Sequence, residues 1–166
     1  MKKVFLLFAV LVSSLTANAQ FEQGKAYLGA KLTGLELASE AKKFHFGIGA
    51  QAGYLFADNL MGLAQIAYDH REGGVNSFTL GVGGRYYIIQ NGLYLGVSAK
   101  YKHTSGDYND FLPGVQLGYA FFITRTVTIE PEVYIDFSTK KFENSCYGLG
   151  VSLGIYLFKD QYQLKK

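Results

Sequence analysis

One cysteine, two prolines and, beyond the first nineteen residues, no long apolar run: these shortages bound what the 166 residues can be. The lone Cys146 excludes an internal disulfide, and it reads as a small strand residue. No later window is uniformly apolar for more than about fifteen residues, too few for a membrane-crossing helix. No stretch sustains a 3.6-residue period either, so helices are not the building material. Lysine and arginine never cluster beyond a pair, so nucleic acid is not an expected partner. His45, His70 and His103 fall in separate segments, and the chain has no phosphate loop, metal-ligand cluster or serine-hydrolase elbow. No metal and no cofactor is therefore expected.

What is abundant points to strands. The chain holds 20 Gly, 13 Tyr and 13 Phe, a composition suited to pleated, half-buried surfaces. Its first residues, MKKVFLLFAVLVSSLTANAQ, show two lysines, an apolar run from Val4 to Val12, and Ala17-Asn18-Ala19 in the small-x-small pattern of a signal-peptidase site. Residues 1–19 are expected to be a secretory signal peptide cleaved after Ala19. Removing Lys2 and Lys3 lowers the formal charge from +3 to +1 for the mature chain.

Eight runs of alternating character follow: 25–35, 44–56, 60–69, 77–89, 93–104, 113–123, 127–138 and 146–158. Tight connections at 57–59, 90–92 and 124–126 alternate with longer polar ones at 36–43, 70–76, 105–112 and 139–145. Asp58-Asn59 and Asn91-Gly92 tolerate the left-handed backbone of a tight hairpin. An even number of next-neighbour strands with two kinds of connection predicts an all-β fold, an eight-stranded antiparallel up-and-down transmembrane β-barrel spanning 20–158, with a short tail at 159–166.

The stretch TVTIEPEVYIDF, residues 126–137, shows how the faces divide. Glu130, Glu132 and Asp136 alternate with Ile129, Val133, Ile135 and Phe137, so one face is charged and the other apolar. Carried through the chain, the polar face collects Lys31, Gln51, Arg85, Lys100, Lys102, Gln116 and Ser152, together with Gly29, Gly53, Gly96, Gly118, Gly150 and Gly154. Glycine is kept where space is short, and the short space in an eight-stranded barrel is its inside. The polar face is therefore expected inward, with Lys31, Arg85, Lys100 and Lys102 facing Glu130, Glu132 and Asp136 in a charge network that plugs the lumen. The apolar face is expected to meet lipid. Its aromatic residues form two girdles: Phe44, Tyr68, Phe78, Tyr101, Phe137 and Tyr147 toward the longer loops, and Tyr54, Phe56, Tyr86, Tyr119 and Phe121 toward the turns. Pro131, lacking an N–H, predicts a bulge or a missing ladder bond in the seventh run.

Three segments carry a resemblance: GYLFADNLMGL (53–63), IEPEVYIDF (129–137) and the closing GLGVSLGIYLF (148–158). Through them the chain resembles the small outer-membrane β-barrels of Gram-negative bacteria, the OmpA/OmpX type. The resemblance implies a protein of the cell outer membrane in contact with lipid and lipopolysaccharide. It also implies Phe158 as the terminal aromatic residue read by the barrel-insertion machinery. The expected function is non-enzymatic: a structural, adhesive or surface-contact role, with any extracellular ligand met by the loops. Two alternatives stand beside it. His103-Thr104-Ser105 resembles the His-x-Ser of outer-membrane lipid A deacylases, which implies His103 as base and Ser105 as nucleophile. Only Asp107 and Asp110 lie near enough in sequence to orient that base, since the next strand offers Gln116 and no outward carboxylate. The other alternative is a soluble, lipocalin-like barrel binding a small apolar ligand.

Overall fold

The computed structural model describes residues 21–37, 46–71, 75–88, 92–104, 108–140 and 145–157. The expected signal peptide, Phe44, His45, Ser105, Asp107, Phe158 and the tail lie outside them. The described residues form strands β1 (Ala26–Leu37), β2 (Phe46–Ala57), β3 (Leu60–Arg71), β4 (Val75–Tyr87), β5 (Leu93–Thr104), β6 (Tyr108–Tyr119), β7 (Phe121–Phe122), β8 (Val127–Asp136) and β9 (Cys146–Leu157).

From β1 to β6 each strand pairs antiparallel with the next, β6 and β7 both pair with β8, β8 pairs with β9, and β9 returns to β1 with Ala26 opposite Leu157 and Leu37 opposite Tyr147. The short β7 continues β6 beyond Ala120. Gly118 faces Glu132 and Phe121 faces Ile129, so both pieces keep one register against β8. The result is a closed, eight-stranded up-and-down barrel. In the same register the interruption at Tyr119-Ala120 lies opposite Glu130-Pro131, which accounts for the proline: its missing N–H falls where the ladder is already open. The Ala120 N–H turns away to the Gly92 carbonyl at 2.8 Å.

The turns follow their chemistry. Asn59 has φ 64° and Gly92 has φ 94°, the left-handed backbone that Asn and Gly tolerate best. The longer connections differ from expectation. β4 begins at Val75 and β6 at Tyr108, so residues 72–74 and 105–107 are all that join β3 to β4 and β5 to β6. The polar stretches at 70–76 and 105–112 are mostly ladder: Asp69 pairs with Ser77, Lys102 with Asp110 and Thr104 with Tyr108. Strand pairing uses backbone groups, which polar residues supply as well as apolar ones. Among the described strands, the wider gaps in sequence lie at 38–45 and 137–145.

Side chains alternate across the wall. β8 reads exposed at Ile129, Val133 and Ile135 and buried at Thr128, Glu130, Glu132, Tyr134 and Asp136. The apolar face is outside, with Val82 63% and Val97 62% exposed. At the turn end, the inner face gathers an aromatic core of Tyr27, Tyr87, Tyr94 and Tyr156 around Phe21, with Leu55, Met61 and Leu63. Phe21 stacks on Tyr87 with centroids 3.8 Å apart, and its carbonyl accepts from the Asn59 N–H at 2.8 Å. The residues just before β1 thus fold into the turn-end mouth and fill it.

The glycines make this filling possible. A Cβ on Gly118 would collide with the Tyr94 ring and lie 2.9 Å from the Glu132 Cβ. On the outer face, a Cβ on Gly84 would meet only the Met61 carbonyl oxygen, at 3.5 Å. Gly118→Ala is accordingly expected to lose about 1–3 kcal/mol by overpacking. Gly84→Ala should be neutral or gain up to about 1 kcal/mol by restricting the unfolded chain. Urea unfolding of the two variants beside the wild type reads the difference, and equal losses would contradict the assignment of faces.

Candidate functional site

Within the described residues, the polar chemistry concentrates inside the barrel, and it centres on Arg85. This guanidinium, on the inward face of β4, is 0% exposed. Its Nη1 donates to Glu130 Oε2 at 2.7 Å, and its Nη2 donates to Gln51 Oε1 at 3.0 Å and Glu132 Oε2 at 3.4 Å. Tyr94 and Tyr27 flank it, with ring centroids 4.4 and 5.5 Å from the guanidinium carbon. Their negative ring faces favour a cation held away from water.

Both glutamates come from β8 at a two-residue spacing, so the strand period alone sends them to the same side. Each is further satisfied. Glu130 accepts from Tyr27 Oη at 2.9 Å, Tyr156 Oη at 3.1 Å and Thr128 Oγ1 at 2.7 Å. Glu132 accepts from Tyr94 Oη at 2.8 Å and forms an ion pair with Lys31. Tyr87 and Tyr156 share a hydroxyl hydrogen bond of 2.7 Å, tying the cluster to the aromatic core below it. Two cations, Lys31 and Arg85, thus meet two anions, Glu130 and Glu132, and the middle of the lumen is neutral. A buried ion set is tolerable only when its remaining lone pairs are used, and here tyrosine and threonine hydroxyls use them.

Toward the longer loops the network continues in smaller units. Lys100 Nζ reaches both oxygens of Asp136, at 2.8 and 2.6 Å. Lys31 and Lys100 both sit over the Tyr134 ring, at 4.8 and 5.2 Å. Asp110 accepts from Ser138 Oγ at 2.5 Å and from Thr139 Oγ1 at 3.4 Å. Lys102 departs from the expected network: it has no carboxylate within ion-pair distance among the described residues. The carboxylate opposite it, Asp110, is held by the two hydroxyls, and Asp136 is held by Lys100.

The structure also places the other sequence-derived candidates. Tyr68, Phe78, Tyr101, Phe137 and Tyr147 are exposed toward the longer loops, and Tyr54, Phe56 and Tyr86 toward the turns. Tyr119 and Phe121 are half-buried and pack on each other at 4.4 Å. His103 is on the outer face, but its Nδ1 lies 2.5 Å from Asn109 Oδ1, an amide and not a carboxylate. Asp110, a candidate to orient that imidazole, points into the barrel instead, because neighbouring residues of a strand face opposite sides. No group of three or more His, Cys, Asp or Glu able to hold a metal occurs among the described residues.

Several interior groups escaped the sequence reading: Tyr27, Tyr87, Tyr94, Tyr134, Tyr156, Asp110 and Phe21. The tyrosines carry a legible signal, since each is two residues from an inward glycine or charge: Gly29, Arg85, Gly96, Glu132 and Gly154. Phe21 has none, because it precedes the first alternating run.

This wall, polar within and apolar without, closes into a barrel whose fold is that of small outer-membrane barrels of known structure. Solved structures of such proteins superpose on it. The N-terminal β-barrel domain of Pseudomonas aeruginosa OprF matches with a TM-score of 0.58 at 15% identity, covering 81% of this chain and 98% of that one. Neisserial surface protein A matches at 0.57 and 16% identity, covering 81% and 97%. Ail, the attachment invasion locus protein of Yersinia pestis, matches at 0.54 and 13% identity, covering 82% and 99%. At these identities the likeness is one of fold. No family model matches the chain, and no curated protein matches its sequence.

Removing Arg85 while keeping its partners leaves a carboxylate buried without its cation. Arg85→Met is expected to lose about 3–5 kcal/mol, and adding Glu130→Gln should restore part of that loss. Urea unfolding of the single and double variants checks this; purely additive losses would mean that Arg85 and Glu130 are not coupled.

Proposed function

We propose that the protein is an integral outer-membrane barrel with a plugged interior, whose contacts with other molecules are made by its loop end. The observation carrying this reading is the inverted wall. Leu28, Ile48, Ile66, Val82, Val97, Leu117, Val133 and Leu153 place an exposed apolar side chain on every one of the eight strands. A continuous belt of that kind far exceeds the apolar patches that soluble monomers leave in water, and a bilayer is the solvent that suits it. A soluble carrier of a small apolar ligand would be built the opposite way, with the apolar lining inside.

The interior reads as a plug and not a channel. Arg85, Glu130, Tyr27, Tyr94 and Tyr156 close the middle of the lumen with direct hydrogen bonds, and Phe21 fills the turn end. An eight-stranded barrel has little more width than these side chains occupy. A non-enzymatic role suits the outer face too: the imidazole of His103 is paired with an amide, which supplies no carboxylate to orient a general base. The chemistry open to the protein is then structural or adhesive, through the connections at 38–45 and 137–145. Ail, one of the solved structures of like fold, is described as an attachment invasion locus protein, which fits a surface-contact role of this kind.

Cell fractionation tests the reading. The mature protein is expected in the outer-membrane fraction, resistant to extraction with alkaline carbonate and released by detergent. Recovery in the soluble periplasmic fraction without detergent would overturn it.

A further inference from the structure

Residues 21–25 precede β1, and the closure of the barrel does not use them: the β1–β9 ladder starts at Ala26, opposite Leu157. They are attached instead to β2 and the turn after it. The Asn59 N–H donates to the Phe21 carbonyl at 2.8 Å, and Gln23 donates its N–H to Asp58 Oδ1 and its Nε2 to the Phe56 carbonyl, both at 2.9 Å. Nearer β1, the Gly24 N–H donates to the Leu55 carbonyl at 2.7 Å and the Leu55 N–H to the Lys25 carbonyl at 2.9 Å. Gly24 itself has φ 93°, a left-handed backbone that glycine adopts readily and other residues do not.

The side chains of this segment divide in two. Glu22 and Gln23 are exposed, whereas Phe21 is fully buried. Its ring lies against Tyr87 of β4, Phe122 of β7 and Tyr156 of β9, with centroids 3.8, 5.6 and 5.6 Å away. A segment clipped to one hairpin thus reaches across the mouth to three other strands through one ring. Chain ends held by local contacts open at lower free energy than ladders closed on both sides. If residues 21–23 swing away, the wall keeps its strand pairings, while the mouth loses the ring that fills it.

We propose that residues 21–23 form a strap, hinged at Gly24, that seals the turn end of the lumen and opens without unfolding the barrel. Opening admits water to the cluster of Tyr87, Tyr94 and Tyr156 from the turn side. Arg85 and its partners still close the lumen beyond it. The strap thus makes the turn-end half of the plug removable, whereas the charged half is built into the wall.

Thiol labelling of the refolded protein in detergent micelles, with a charged water-soluble maleimide, tests this. Ala120, 1% exposed within the same aromatic core, is the site for a reporter: Ala120→Cys in a Cys146→Ser background reads the mouth. The native Cys146, at the loop end of β9, reads the far side in chains that keep it. Phe21→Ala should speed labelling at position 120 about a hundredfold and leave the rate at Cys146 unchanged. Gly24→Ala, strained at its positive φ, should act in the same direction as Phe21→Ala. Heat-modifiable gel mobility verifies that each variant is a folded barrel. If Ala120→Cys does not fold, hydrogen exchange carries the test: the Asn59 N–H should exchange faster than the ladder amides of β5 and β6, and Phe21→Ala should speed Asn59 alone. Unchanged labelling at 120 without the Phe21 ring, equal acceleration at Cys146, an Asn59 amide that exchanges only with the ladder, or a Phe21→Ala chain that forms no barrel would each overturn the proposal.

Discussion

The pairing of Arg85 with Glu130 and Glu132 is the interaction on which the interior depends. Three charges buried in so narrow a space would each be strongly unfavourable alone. Together with Lys31 they cancel, and the hydroxyls of Tyr27, Tyr94, Tyr156 and Thr128 take up lone pairs that the cations leave unused. The arrangement demands that β4 and β8, separated in the wall by β5 and β6, approach across the lumen. Only a small closed barrel provides that, so the network and the strand number support each other.

Room for the network comes from residues without side chains. Gly118 leaves space for the Tyr94 ring, and Gly154 does the same for Tyr27 and Thr128. The polar inside and the apolar outside are thus parts of one solution. Bulk removed from the inner face lets long polar side chains reach one another, while the outer face is free to carry leucine, isoleucine and valine in quantity.

Much of this was legible in the chain. The two-residue period of β8 divides Glu130, Glu132 and Asp136 from Ile129, Val133 and Ile135, and the glycine bias then decides which face is inside. Strand number and neighbour order followed from eight such runs. Strand ends were less legible, because the ladder at Lys102–Asp110 and Asp69–Ser77 continues through residues whose composition suggests loops. The inward tyrosines were obscured by their chemistry, since the same residue type also populates the outer girdles and only parity separates Tyr86 from Tyr87. Lys102 shows the limit of assigning partners from a face alone: it shares a face with Asp110, Glu130, Glu132 and Asp136, yet hydroxyls hold the first and other cations the other three.

The absence of tryptophan from the chain makes the central claim, an inverted wall, directly measurable. A single tryptophan at Val133 and, in a separate variant, at the adjacent Tyr134 would report opposite faces of β8 in vesicles containing brominated lipids. Strong quenching of the residue at 133 with little at 134 is the predicted result. Equal quenching at both positions, or stronger quenching at 134, would contradict it.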